Sequence, residues 1–178
     1  MEIMHSTPKY LSLDTFHLNV PTYILVLENA TSPYAQQLFQ QLKVQQCREV
    51  FTLDNQRKDD ALANLLNQLQ DRLCLEYAGI HIVVCGTEAF IWEIQQCLIY
   101  HGCLKEEMSL LLDLTEPKQN VKKIYCVHCG RTQHTTAVEY CTCQHCNLNL
   151  LIRSHFSERL GAYMGVCANV QQSQGAIS

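Results

Sequence analysis

The sequence predicts an α/β fold: a mostly parallel sheet with helices on both faces, followed by a small zinc-ribbon-like β module. Two observations carry that expectation. Short apolar runs alternate with helix-spaced apolar positions from Tyr23 to Asp113, the order that yields parallel strands joined by right-handed helical crossovers. Further on, Cys126-Val127-His128-Cys129 is answered by Cys143-Gln144-His145-Cys146, with thirteen residues between the two pairs. Paired Cys-x-x-Cys units are a zinc signature.

Segment 1–21 carries little pattern, and Leu11, Leu13, Phe16 and Leu18 are expected to lie against neighbouring structure as an extra edge strand. The α/β domain is placed at 22–114. Tyr23–Leu27 reads Tyr-Ile-Leu-Val-Leu, a continuous apolar run suited to a strand buried on both faces. Ser32 and Pro33 then supply an N-cap and a first helical residue, and Tyr34, Ala35, Leu38, Phe39 and Leu42 share one helical face. A second strand is expected at Arg48–Leu53. Asp59 or Asp60 opens the next helix, whose Leu62, Leu65, Leu66, Leu69 and Leu73 recur at helical spacing. The third strand is Ile80–Cys85. Thr87 caps a third helix with Phe90, Ile91, Ile94 and Leu98 inward, stopped by Gly102. Met108–Asp113 closes the sheet. Residues 115–121, with Pro117, read as a linker, 122–153 as the metal ribbon, and 154–178 as a tail whose polar last eight or so residues are expected to be disordered.

A Cys-x-x-Cys turn aims two thiolates into one space, and two such turns complete a tetrahedral four-sulfur site that zinc accepts without geometric strain. Cys126, Cys129, Cys143 and Cys146 make the two turns symmetrical. Cys141 is a fifth thiol that could replace Cys143, and His128, His134 and His145 are also near in sequence. The alternative metal is iron, because rubredoxin sites use two such turns and Gly130 follows the first as they do. Asn147 stands where a second glycine would be, so it has to adopt the left-handed backbone that asparagine tolerates less freely.

The tail mixes large apolar and basic groups. Phe156, Arg159, Leu160, Tyr163 and Met164 form either a partner-docking patch or a segment that packs back onto the ribbon. A net charge of −4 and a pI near 6.0 argue against nucleic acid as the main partner. No apolar run approaches the ~18 residues of a membrane span. Eleven cysteines with no export signal in view point to reduced thiols in the cytoplasm. No nucleophile–base pair stands at a recognisable spacing, so no catalytic residue is assigned.

Two resemblances follow from these residues. Ile82-Val83-Val84-Cys85-Gly86-Thr87 is similar to the Cys-Gly-Pro turn in the nucleotide half of ferredoxin reductases, and Pro33-Tyr34 falls where those enzymes have a Pro-aromatic pair. Here no Gly-rich loop follows the first strand, Glu28 adds negative charge there, and Thr87 replaces the proline. The resemblance implies a reductase-like domain, about 22–113, that has lost dinucleotide binding. Cys85 and Gly86 are left as its candidate cofactor-binding pair.

The cysteine pairs and the run His155-Phe156-Ser157-Glu158-Arg159-Leu160-Gly161-Ala162-Tyr163-Met164-Gly165-Val166 resemble the C-terminal module of the small subunit of bacterial dimethylamine monooxygenase. That resemblance covers about Tyr125–Val166. It implies an accessory subunit, serving assembly or electron transfer, of an NADPH-dependent complex that uses O₂ to convert dimethylamine to methylamine and formaldehyde. Haem would sit on an oxygenase partner, with FMN and a [2Fe–2S] cluster on a reductase partner. The alternatives are a rubredoxin-like iron electron carrier and a free-standing NAD(P)H oxidoreductase using Cys85-Gly86.

Overall fold

A computed structural model describes residues 7–17, 19–53, 60–75, 80–115 and 121–168. The chain divides into an α/β unit, Lys9–Pro117, and a second unit built on Lys118–Ser178.

The α/β unit runs β1 (Tyr23–Leu27), α1 (Pro33–Gln41), β2 (Cys47–Thr52), α2 (Ala61–Leu73), β3 (His81–Gly86), α3 (Glu88–Tyr100) and β4 (Met108–Leu112). All four strands are parallel, in the order β2-β1-β3-β4. Every residue of β1 is buried, as a central strand covered on both faces demands. Its side chains alternate between two cores. Ile24 and Val26 join Ile82 and Val84 under α2 and α3, through Leu65, Leu69, Ile91, Ile94 and Leu98. Tyr23, Leu25 and Leu27 join Val83 and Cys85 under α1, through Ala35, Leu38 and Leu42. Helices therefore cover both faces, as the alternating pattern requires.

The helix starts follow the capping chemistry read from the sequence. The Ser32 hydroxyl accepts from the Ala35 N–H at 3.0 Å, and the Thr87 hydroxyl from the Phe90 N–H at 3.5 Å. Asp60 occupies the N-cap of α2 but its carboxylate makes no capping bond, and Asp59 lies outside the described residues. Gly102, with φ of 89°, ends α3.

The expected extra edge strand reduces to a single parallel bridge from Leu11 to Leu111. The boundary placed at 21/22 falls too late: Leu13 and Phe16 are buried in the core beneath α1. Tyr10 lies between Trp92 and Glu88, accepting from the indole Nε1 at 2.7 Å and donating to the carboxylate at 2.8 Å. Leu18 lies outside the described residues.

Among its described residues the second unit has strands and no helix: β5 (Lys122–Cys126), β6 (Thr132–Thr135), β7 (Tyr140–Thr142), β8 (Asn149–Ser157) and β9 (Ala162–Cys167). The five strands make one mixed sheet in the order β6-β5-β9-β8-β7. This corrects the expected division between ribbon and tail. The 153/154 boundary falls inside β8, and the segment read as a tail supplies the central strand of the sheet. β9 pairs antiparallel with β8 and parallel with β5. The physical reason is the apolar content of that segment: Phe156 and Ala162 are buried, and Phe156 meets Tyr163 edge to face at 4.9 Å. Pro117 and the last ten residues lie outside the described residues.

Candidate metal centre

Two loops of the β unit bring the cysteines together. Cys126 ends β5, Cys129 closes the turn that follows, and Cys143 and Cys146 bracket the turn between β7 and β8. The two turns repeat each other bond for bond. The Gly130 N–H donates to the Cys126 carbonyl at 2.9 Å, and the Asn147 N–H to the Cys143 carbonyl at 2.9 Å. The Cys126 N–H donates to Arg131 O at 2.8 Å, and the Cys143 N–H to Leu148 O at 2.8 Å. Gly130 has φ of 70° and Asn147 has φ of 58°. Asn147 thus takes the left-handed conformation required of it, as the one non-glycine residue with positive φ among those described.

The four sulfurs lie within 4.8 Å of one another. Cys126 and Cys146 are 3.8 Å apart, and Cys129 and Cys143 3.7 Å. A tetrahedral zinc site with sulfurs about 2.3 Å from the metal has an edge of about 3.8 Å. A disulfide would need sulfurs about 2.05 Å apart. The spacing therefore fits a shared ion rather than bonded pairs, and all four donors are of the soft type that zinc and iron accept. Cys126 and Cys143 are fully buried, while Cys129 and Cys146 are partly exposed. Burial alone would push the Cys143 thiol up, but the backbone N–H groups of Cys146 and His145, joined by the Cys146 and Cys126 side chains, outweigh it and bring the thiol down to about 6, while the Cys146 thiol is pushed up to about 12. Among the four, Cys143 is the sulfur whose surroundings favour the thiolate.

Cys141 falls outside this group. It is half-buried on β7, with the Gln133 side-chain amide 3.7 Å from its sulfur. None of His128, His134 and His145 joins the four sulfurs; the His145 ring lies against the Thr132 carbonyl at 3.4 Å. Two residues that the sequence reading passed over hold the loops. The Gly165 carbonyl on β9 accepts from the Val127 N–H at 3.0 Å. Gln133 on β6 is buried and bonded to the second turn. No spacing pattern in the sequence marks Gln133.

Of the residues named for partner docking, Phe156 is buried and turned into the β unit. Tyr163 packs on it and takes the Lys122 ammonium 5.1 Å from its ring centre. Leu160 and Met164 are half-buried and Arg159 is exposed. Packing onto the ribbon accounts for the aromatic part of the patch.

Cys85 and Gly86 stand at the carboxyl end of β3, where such sheets place their ligands. Cys85 is buried, and its burial, reinforced by the carboxylates of Asp113 and Glu28, pushes the thiol up to about 12. The Glu28 carboxylate accepts from the Thr87 N–H at 2.5 Å and fills the N-terminus of α3. A Cβ on Gly86 would come within 2.8 Å of that carboxylate oxygen. At α1, the Ser32 hydroxyl donates to Asp113 at 2.5 Å. A nucleotide phosphate arriving here would meet two carboxylates in place of free amides.

Residues 123–166 match the family described as dimethylamine monooxygenase subunit DmmA-like, C-terminal domain. The chain is 35% identical over 94 residues to the heme-dependent oxidative N-demethylase delta subunit of Ectopseudomonas mendocina (strain ymp). That alignment covers 53% of this chain, and the chain spans about half the length of the relative, 51%. Both findings support the likeness to a DmmA-like small subunit that the cysteine turns and the run after them suggested. No solved structure matches. Among the described residues no helix is long and apolar enough to cross a membrane.

Proposed function

We propose that this chain is an accessory subunit of a multi-subunit, haem-dependent oxidative N-demethylase, and that its four cysteines hold one structural zinc ion. The observation that carries the reading is the four-sulfur group inside the segment matched by the DmmA-like family. The name of the relative, a delta subunit of a heme-dependent oxidative N-demethylase, supports a place within such an assembly. The finer reading is an NADPH-dependent monooxygenase that takes dimethylamine to methylamine and formaldehyde in the cytoplasm. A partner subunit carries the haem, and a second carries FMN and a [2Fe–2S] cluster. Zinc bound to four thiolates supplies folding free energy and no redox chemistry. The carboxylates that follow β1 and β4 support a non-catalytic role for the α/β unit, because Glu28 occupies the Thr87 N–H and Asp113 the Ser32 hydroxyl and both would repel a phosphate.

Co-expression with candidate haem and reductase subunits tests the assembly. The expected result is one co-purifying complex with close to one zinc per copy of this chain. A chain that stays alone when all are expressed together overturns the reading.

A specific observation favours a second reading. The two turns repeat each other's bonds, and Cys129 and Cys146 reach the surface, as suits a rubredoxin-like iron site passing electrons outward. A red protein with stoichiometric iron and a reversible one-electron wave would establish it. The colourless zinc protein expected here would exclude it.

A further inference from the structure

In each cysteine turn the residue after the first cysteine points its N–H away from the sulfurs, toward an acceptor outside the loop. In the first turn that residue is Val127, and its N–H donates to the Gly165 carbonyl on β9 at 3.0 Å. In the second it is Gln144, and its N–H donates to Oε1 of Gln133 on β6 at 2.7 Å. The first acceptor is main chain, available to any sequence that forms β9. The second is a single side chain. The Nε2 end of the same amide donates to the Thr142 carbonyl at 3.0 Å, on the other side of Cys143. Gln133 thus grips the chain immediately before and immediately after this cysteine. It is 7% exposed, so water cannot replace these bonds at low cost.

From this geometry we infer that Gln133 is a positioning residue of the metal centre, fixing the second cysteine turn in the conformation that binds the ion. The two bonds pin the peptide planes flanking Cys143. Gln133 lies on β6, beyond the first cysteine turn, so it also ties the two halves of the site to one hairpin: Ile124 on β5 pairs with it. Outer partners of this kind set ligand orientation, and losing one typically costs 10- to 100-fold in metal affinity. This inference rests on the reading of the four cysteines as a metal site.

The test uses the full-length zinc-loaded protein and follows metal transfer to excess chromogenic chelator. Gln133→Leu keeps the volume and loses both bonds together with the contact to the Cys141 sulfur; Gln133→Glu keeps an acceptor for the Gln144 N–H and loses the donor. Release from Gln133→Leu is expected to be about 10- to 100-fold faster than from the wild type, with Gln133→Glu between them. The cobalt-substituted variants should keep a four-thiolate spectrum, because no ligand has changed. Wild-type release from Gln133→Leu overturns the inference while leaving the metal site intact. A wild-type protein that binds no zinc overturns the underlying reading instead. Should Gln133→Leu fail to fold, hydrogen exchange on the wild type decides. Slow exchange of the Gln144 amide in the metal-loaded protein supports the latch, and exchange at the rate of an open loop overturns it.

Discussion

At the scale of single residues, the site turns on which thiols point inward. Cys129 is one of the four that converge, and Cys141 is turned toward Gln133. Structural zinc supplies on the order of 10 kcal/mol of folding free energy in isolated fingers, and the apolar cluster around the sulfurs here is small, with Cys126, Cys143 and Leu150 as its buried members. Cys129→Ser is therefore expected to lose the metal and the ordered β unit, while Cys141→Ser keeps both. Zinc content and near-ultraviolet circular dichroism of the two variants side by side check this. Loss of the metal from Cys141→Ser together with retention in Cys143→Ser would reverse the assignment. The convergence of the four sulfurs was legible because Cys-x-x-Cys spacing encodes the turn that presents them. Asn147 was legible too, since a turn that needs positive φ without glycine narrows the choice to few residues. Gln133 was not, because its value depends on a loop that comes to meet it from the other side of the turn.

At the scale of elements, strands and helices of the α/β unit stand close to where periodicity put them: β3 begins at His81 instead of Ile80, and β4 at Met108 as expected. Short-range patterns carry that information, because helical and strand periodicity mark each buried face whichever partner covers it. β9 shows where such reading stops. Gly165 interrupts its apolar pattern, and although β9 pairs antiparallel with the adjacent β8, its central place in the sheet comes from pairing with the distant β5. Gly165 is the point of closest approach. A Cβ there would come within 2.8 Å of the Ile124 side chain and 3.0 Å of Leu150. Gly165→Ala is expected to push β9 off the sheet or force its neighbours to shift, at a cost of about 1–3 kcal/mol. It should also weaken the bond that holds the Val127 N–H. A lower thermal midpoint of the β unit, with faster zinc loss to a chelator, is the expected outcome, and an unchanged midpoint would refute the close packing.

For the whole molecule, the two units draw their stability from different sources. The α/β unit has two large apolar cores, one on each side of its sheet; the β unit has a small core centred on the cysteines. Strong chelation is expected to separate them: in calorimetry the transition of the β unit should move down or vanish, while that of the α/β unit stays in place. A single transition that moves as one would contradict this. The parallel pairing of β5 with β9 carries a consequence in time as well. These strands open and close the β unit in sequence, so β6, β7 and β8 must all be made before Tyr163 can lie beside Ile124. Closure over such a separation is slow compared with forming a hairpin. During synthesis, both cysteine turns leave the ribosome before the strand whose Gly165 secures the first of them. The first cysteine turn therefore gains its outer hydrogen bond, from the Val127 N–H to the Gly165 carbonyl, only once β9 has been made.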